Sequence, residues 1–250
     1  MNNIKLYNGD CLDGMNKLIE AGVKVDLIFT SPPYNIGIKY ENYNDKLEWK
    51  EYLNWCEKWL QKCYDLLKDD GRIVINHYIS FRDTEKKDRF PLFDIKTIQE
   101  RIGFNVSKLI VWQDNSLSKL SAWGSWLSAS SPYIQTPCEG LLVSYKKVWK
   151  KKNKGVSTIT KEDFIHGVSG ICKLKPETRG LTKANFPVTL PQLYIELLTY
   201  KNDIVLDPFS GSGTTAIACI KTEREFYGFE ISQEYYKIAE QRIKEAMKNE

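Results

Sequence analysis

The stretch Ile204-Val205-Leu206-Asp207-Pro208-Phe209-Ser210-Gly211-Ser212-Gly213-Thr214-Thr215 decides the fold. Asp203 to Leu206 is a short apolar run of strand character, and Thr214 to Ile220 carries helical spacing. Between them lies a turn in which glycines allow a ligand to approach the backbone. The following helix offers free N–H groups at its start. A phosphate-binding Gly-x-x-x-x-Gly-Lys-Ser/Thr loop is excluded because no lysine is present, and the dinucleotide pattern Gly-x-Gly-x-x-Gly fails at its third glycine. The turn therefore suits a nucleoside cofactor without a pyrophosphate. Glu225 to Phe229 reads as the next strand, and Glu230 ends it 19 residues after Gly211. A carboxylate there is placed to accept hydrogen bonds from two ribose hydroxyls. Glu234 to Met247 closes the chain as an amphipathic helix.

Toward the N-terminus, Val25 to Thr30 is a buried-strand run that stops at Ser31-Pro32-Pro33-Tyr34. Two consecutive prolines fix φ and restrict the residue before them, so this corner is stiff and holds a hydroxyl and an aromatic ring beyond the strand. Further strands are expected at Ile4 to Tyr7, Arg72 to Asn76, Phe104 to Trp112 and Gly140 to Tyr145, the last two alternatively forming an antiparallel edge. A helix is expected over Glu51 to Leu67, ended by Lys68-Asp69-Asp70-Gly71. Strands alternating with helices predict an α/β fold, a doubly wound and mostly parallel sheet covered on both faces. Ligands of such sheets bind outside the carboxyl ends of the strands, so Ser31 and Asp207 should face one crevice.

The chain has 250 residues, 42% of them apolar and 27% charged, which is globular composition and enough for one domain with an insert. No apolar run approaches the roughly 18 residues that cross a bilayer, and the N-terminus lacks a secretion signal, so a cytoplasmic protein without membrane contact is expected. The six cysteines form no Cys-x-x-Cys pair and the two histidines, His77 and His166, lie far apart, so no metal site is expected. Residues 149–183, rich in Lys, Gly, Ser and Thr, read as an insert within a single domain spanning 1–250. At its entrance Lys146, Lys147, Lys150, Lys151, Lys152 and Lys154 fall within nine residues. Such a run is either a solvated loop or a stripe that neutralises a nucleic-acid backbone.

Asp-Pro-Phe-x-Gly-Ser-Gly-Thr-Thr at 207–215, combined with Ser-Pro-Pro-Tyr at 31–34, resembles the DNA amino-methyltransferases, and the order of the two motifs resembles their circularly permuted β group. The likeness covers most of the chain outside residues 149–183. It implies a Rossmann-like, seven-stranded sheet, S-adenosylmethionine as cofactor and duplex DNA as partner. It leaves room for a homodimer, and for a restriction–modification system whose endonuclease forms no stable complex with the chain. Carried onto this sequence, it makes Ser31, Pro32, Pro33 and Tyr34 catalytic. It assigns Asp10, Cys11, Asp207, Pro208, Phe209, Gly211, Ser212, Gly213, Thr214 and Glu230 to the cofactor. Lys183-Ala184-Asn185-Phe186-Pro187 resembles the segment that packs on the methionine part, which adds Phe186. The insert becomes a target-recognition element, with base-reading side chains sought in 113–137 and 149–185, and Lys146, Lys147, Lys150, Lys151 and Lys152 become DNA contacts.

An exocyclic amine is a poor nucleophile because its lone pair is delocalised into the ring. A site must hold it in line with the sulfonium methyl and accept its hydrogen bonds, a task that suits the Ser31 hydroxyl and the Pro32 carbonyl, with Tyr34 stacking on a flipped base. Attack at cytosine C5 needs an activated cysteine instead; Cys138 lies within an apparent strand and is read as structural. In the family the chain resembles, serine in the first motif position leans toward cytosine N4, whereas adenine enzymes mostly carry Asp or Asn; a hydroxyl could accept from the amine and donate to a ring nitrogen. Adenine N6 is the alternative, with the same mechanism. An RNA base, a glutamine amide or an inactive nucleic-acid-binding module are more remote readings. Asn35 to Asp45 is long enough to act as a lid, Trp123 to Tyr133 either borders the base pocket or packs, and His77 is read as a core or loop histidine rather than a proton shuttle.

Overall fold

The computed structural model describes residues 3–37, 45–83, 85–113, 124–134, 136, 138–174 and 186–248. Its strands are β1 (Ile4–Asn8), β2 (Val25–Thr30), β3 (Leu67–Tyr78), β4 (Phe81–Arg82), β5 (Asp88–Arg89), β6 (Asn105–Trp112), β7 (Glu139–Tyr145), β8 (Ile171–Cys172), β9 (Ile204–Asp207) and β10 (Glu225–Glu230). The helices are α1 (Cys11–Glu20), α2 (Trp49–Leu66), α3 (Pro91–Ile102), α4 (Lys161–Val168), α5 (Thr189–Leu198), α6 (Thr214–Lys221) and α7 (Gln233–Lys248).

Eight strands form one sheet in the order β1-β10-β9-β2-β3-β7-β6-β8, and β4 and β5 make a separate ribbon. The first five run parallel, and β7 is antiparallel to both β3 and β6. The expected seven strands are thus joined by an eighth, the two-residue β8 contributed by the insert. The antiparallel alternative for β6 and β7 is the one adopted. β1 pairs with β10 from Ile4↔Phe226 to Asn8↔Glu230, so the first strand of the chain follows the last one in space, as a permuted order requires.

Side-chain patterning explains why both faces are covered. Every residue of β2 is buried, as a strand between two helical layers must be. On one face Met15, Tyr52, Trp59, Leu60 and Ile95 of α1, α2 and α3 pack against Ile28 and Ile73. On the other, Leu193, Tyr194, Ala216 and Ile220 of α5 and α6 pack with Ile243 of α7 against Leu27, Phe29 and Val205. α2 passes into β3 at Leu67, so Lys68-Asp69-Asp70-Gly71 begins a strand instead of forming the expected turn. Asp70 is buried there and accepts from the Lys152 N–H at 2.7 Å, which keeps the polar segment in place.

β9 and β2 are adjacent, pairing at Leu27↔Val205 and Ile28↔Leu206, while the chain leaves them in opposite directions: β9 toward β10, β2 toward β3. That is the topological switch point of the sheet, and both corners read from the sequence lie at its carboxyl end.

The lysine run lies at the other end. Tyr145, the last residue of β7, pairs with Asn105 at the start of β6, and Arg72, the first residue of β3 to pair with β7, faces Tyr145. Lys151 sits in an ion-pair cluster, 2.5 Å from Asp26 at the amino end of β2 and 3.1 Å from Asp203 just before β9. Lys147 and Lys152 pair with Asp69, Lys146 donates to the Leu67 carbonyl, and Lys150 is exposed on the same segment. Of the expected DNA contacts Lys146, Lys147, Lys150, Lys151 and Lys152, aspartates pair with Lys147, Lys151 and Lys152, and the segment lies at the end of the sheet away from the crevice.

The described part of the insert is also packed down rather than separate. Arg72 donates to the Trp149 carbonyl, Lys201 N–H to that of Val156, and buried Arg224 reaches the Thr158 hydroxyl at 2.7 Å. Residues 175–183 of the insert, Lys183 to Asn185, Trp123, Pro137 and positions 38–44 of the expected lid lie outside the described residues.

Candidate active site

The two corners are stitched together beneath the crevice. Thr30 Oγ1, at the end of β2, donates to Asp207 Oδ1 at 2.7 Å across 177 positions of chain. Thr215 Oγ1 donates to Asp207 Oδ2 at 2.7 Å and Phe209 N–H to Oδ1 at 3.0 Å. Burial pushes the Asp207 carboxyl up to about 6, against the pull of these three hydrogen bonds. Asp207 is therefore a strut between β2, β9 and α6, and not the cavity wall that its motif position predicts. Ser212, Gly213 and Thr214 are likewise absent from the wall. Ser212 and Thr214 face Arg242 of α7, whose Nη1 lies 2.6 Å from the Ser212 carbonyl and 2.8 Å from its hydroxyl. Gly213 caps α6 at φ 78°, the left-handed backbone that glycine adopts without strain.

The remaining expected residues converge. One cavity is walled by Asp10 and Cys11, by Ser31 to Tyr34, by Phe186, by Pro208, Phe209 and Gly211, and by Glu230. At its base Glu230 Oε2 accepts from Gly211 N–H at 2.8 Å and Oε1 from Ser232 N–H at 2.8 Å. Burial pushes the Glu230 carboxyl up to about 7 despite these backbone donors. Such a carboxylate has charge to share with further donors, the property a ribose diol requires. Asp10 opens the same wall while its Oδ1 caps α1 by accepting from Leu12 N–H at 2.6 Å. Aromatic surface supplies the rest: Phe209 sits between Trp55 and Trp59 at ring distances of 5.4 and 5.3 Å, and Phe229 stacks on Tyr7 at 5.7 Å. A planar base with a ribose fits these donors and walls.

Trp55, Phe229 and Tyr235 line the cavity without having been singled out. Trp55 belongs to the apolar stripe of α2, which has the same spacing whether it faces a core or a ligand. Phe229 precedes Glu230 on a strand whose register was unknown.

At the other end of the cavity the proline corner is rigid for reasons beyond its prolines. Tyr52 Oη donates to the Pro33 carbonyl at 2.8 Å and lies 3.2 Å from His77 Nε2. The Tyr34 ring stacks on the His77 ring at 4.1 Å, and Tyr78 meets Tyr34 edge-on at 4.9 Å. His77 is fully buried, which holds its imidazole down to about 3 and keeps it neutral, as a core histidine and not a proton shuttle. Asp45 pins both ends of the following loop, accepting from the N–H groups of Asn35, Ile36 and Gly37 at 2.8 to 3.1 Å.

Ser31 Oγ donates to Tyr34 Oη at 2.9 Å, Tyr34 Oη donates to Glu139 Oε2 at 2.7 Å, and Asn76 Nδ2 reaches both Tyr34 Oη and Glu139 Oε2 at 3.0 and 2.6 Å. The Ser31 proton is thus engaged inside the protein. The Ser31 lone pairs, which an amine could donate to, are not used by this bond. Cys138, beside Glu139, has its thiol pushed up by burial, which disfavours the thiolate that attack at a ring carbon needs. Glu139 and Asn76 were missed because their meeting depends on β7 pairing antiparallel to β3.

Comparison with known proteins agrees with this geometry. Residues 25–241 match the N6/N4 methyltransferase family, described as DNA methylase. The type II methyltransferase M.MjaVI of Methanocaldococcus jannaschii is 40% identical over 180 residues, covering 72% of this chain and 89% of that protein. The DNA adenine methyltransferase YhdJ of Escherichia coli is 29% identical over 257 residues, covering 95% and 82%. Among solved structures, TTHA0409 of Thermus thermophilus, complexed with S-adenosyl-L-methionine, superposes with a TM-score of 0.76 at 26% identity, covering 97% of this chain and 94% of that one. The chain belongs to the N6/N4 DNA methylase family.

Proposed function

We propose that this protein transfers the methyl group of S-adenosylmethionine to the exocyclic N4 of a cytosine flipped out of duplex DNA. The observation that carries methyl transfer is the shared cavity, with Glu230 at one end and Ser31 with Tyr34 at the other opening onto the same space, and the choice of cytosine rests on the resemblance alone, through serine at position 31. Glu230 would hold the ribose hydroxyls, Phe209 and Phe229 the adenine, and Phe186 the methionine part, with Asp10 and Cys11 completing the wall. When bound, the cofactor supplies an electrophilic methyl on a positively charged sulfur.

The chain's own residues do the rest. Tyr34, held flat against His77, offers its ring to the flipped base. Ser31 Oγ accepts a hydrogen bond from the amine, which draws the nitrogen lone pair out of ring conjugation toward the methyl carbon. The new C–N bond forms as the C–S bond breaks, its electron pair remaining on sulfur, and the nitrogen then sheds one proton to water. Rigid placement supplies most of the acceleration, since the corner is fixed by Pro32, Pro33 and Tyr52 before substrate arrives.

Base-reading side chains are sought in 113–137 and 149–185; residues 113–137 follow β6 and residues 173–185 follow β8, strands that end at the crevice side of the sheet. We place the protein in the cytoplasm; among the described residues no helix is long and apolar enough to cross a membrane. A partner endonuclease and a homodimer remain part of the proposal.

Adenine N6 is the second reading. With its proton directed to Tyr34, the Ser31 oxygen presents the same acceptor to either amine, and the relative YhdJ is named a DNA adenine methyltransferase. The test is incubation of duplex DNA with tritiated S-adenosylmethionine, followed by nucleoside chromatography. Label in N4-methylcytosine is expected. Label in N6-methyladenine alone moves the assignment to the second reading, and unlabelled DNA beside labelled RNA or protein overturns the substrate class.

A further inference from the structure

We infer that Glu139 is a positioning residue for methyl transfer, which by accepting the hydrogen bond of the Tyr34 phenol turns the Ser31 hydroxyl into a fixed acceptor for the incoming amine. The inference rests on the proposed amine methylation and deepens it.

Glu139 begins β7, where it pairs with Tyr78 at the crevice end of β3 and with Trp112 at the same end of β6. Its Oε2 lies 2.7 Å from Tyr34 Oη and 2.6 Å from Asn76 Nδ2. Proton counting fixes the direction of every bond in the cluster. Tyr34 Oη donates its single proton to Glu139 Oε2. The Asn76 amide nitrogen has two protons, one for Glu139 and one for Tyr34 Oη at 3.0 Å. Tyr34 oxygen is left with one further lone pair, and Ser31 Oγ at 2.9 Å fills it with its own proton. The Ser31 lone pairs are then what the cavity sees.

Two further observations agree. Asn76 is almost completely buried and its Oδ1 has no partner, so its amide is held with the nitrogen toward the carboxylate at the expense of its own oxygen. Tyr34 is buried and keeps its proton well beyond the ordinary tyrosine range, first through desolvation and then through the Glu139 charge, so the donor survives at any working pH. With Glu139 withdrawn, the phenol proton swings toward Ser31, whose own proton then points at the amine as a competing donor.

The test separates reach from charge. Glu139→Gln keeps an acceptor oxygen at the same length without the charge, whereas Glu139→Asp keeps the charge and withdraws the acceptor by one methylene. Expected kcat values are within about threefold of wild type for Glu139→Gln and about 30-fold lower for Glu139→Asp, with S-adenosylmethionine affinity unchanged in both. In a Tyr34→Phe background, where the relay is already cut, the two variants should have equal kcat. A kcat for Glu139→Asp equal to or above that of Glu139→Gln, or a difference that persists in the Tyr34→Phe background, overturns the inference. Wild-type transfer to duplex DNA is measured alongside. Its absence rejects the proposed reaction itself, while its presence with the wrong order of variants rejects only the role of Glu139.

Discussion

The carboxyl of Glu230 makes cofactor binding depend on pH in a direction that can be worked out in advance. It is buried, accepts two backbone N–H bonds, and titrates at about 7 rather than at the ordinary 4.5. Ribose hydroxyls donate to the ionised form, so binding selects carboxylate. At pH 8 nearly all of the free protein is competent. At pH 6 about one molecule in eleven is, and the apparent Kd should be weaker by about tenfold, with a further factor of about ten for each pH unit below that. The stability of the free protein moves the other way. A carboxyl whose folded value lies above its unfolded one destabilises the fold as pH rises from 4.5 through 7, here by on the order of 3 kcal/mol. Cofactor should therefore raise the melting temperature more at pH 8 than at pH 6. Titration calorimetry with S-adenosylmethionine from pH 5.5 to 8.5 reads the first effect, and Glu230→Gln should bind more weakly at pH 8 and lose the pH dependence. A wild-type Kd that stays flat between pH 6 and 8, or a slope that survives in Glu230→Gln, refutes the assignment of Glu230 to the ribose.

Three other perturbations probe separate parts of the account. In Gly14→Ala the added Cβ would lie 2.1 Å from the Phe229 ring, so about 1–3 kcal/mol of stability should be lost and cofactor binding weakened as that ring shifts, read by urea melts and calorimetry. Lys151→Ala should cost about 1–3 kcal/mol in urea melts because it strips buried Asp26 of one of its two lysine partners, whereas Lys147→Ala and Lys152→Ala should leave duplex affinity unchanged in filter binding; a large loss of DNA affinity in either would support the lysine stripe. Tyr34→Ala should lower kcat by about 100-fold or more while changing cofactor Kd little, and equal losses in both would move Tyr34 into the cofactor half of the cavity.

What could be read from the sequence was local chemistry attached to strand ends. The prolines at 32 and 33 and the glycines at 211 and 213 announce sharp corners, and the alternation of elements around them implies a parallel sheet whose switch point brings corners together. Long-range pairing was not legible. Nothing near Glu139 says that it will lie opposite Tyr78, so the carboxylate that finishes the Ser31 network looked like the polar start of an apolar strand. Counter-charges were equally hidden: six lysines in nine residues resemble a nucleic-acid contact until Asp26, Asp69 and Asp203 are seen folded beneath them. The partners of Asp207 were hidden in a third way. Its motif position suggested a ligand contact, but threonines at 30 and 215 turn it inward, and only the strand register reveals that both reach it.

The central claim is that one cavity delivers a methyl group from the Glu230 end to the Ser31 end. Its most direct measurement is a crystal structure of this protein with S-adenosylmethionine bound. The account predicts both ribose hydroxyls on Glu230 and the sulfonium methyl within about 6 Å of Ser31 Oγ, the sum of a hydrogen bond and a near-attack separation. A cofactor whose methyl faces away from the proline corner, or that sits outside this cavity, would contradict it.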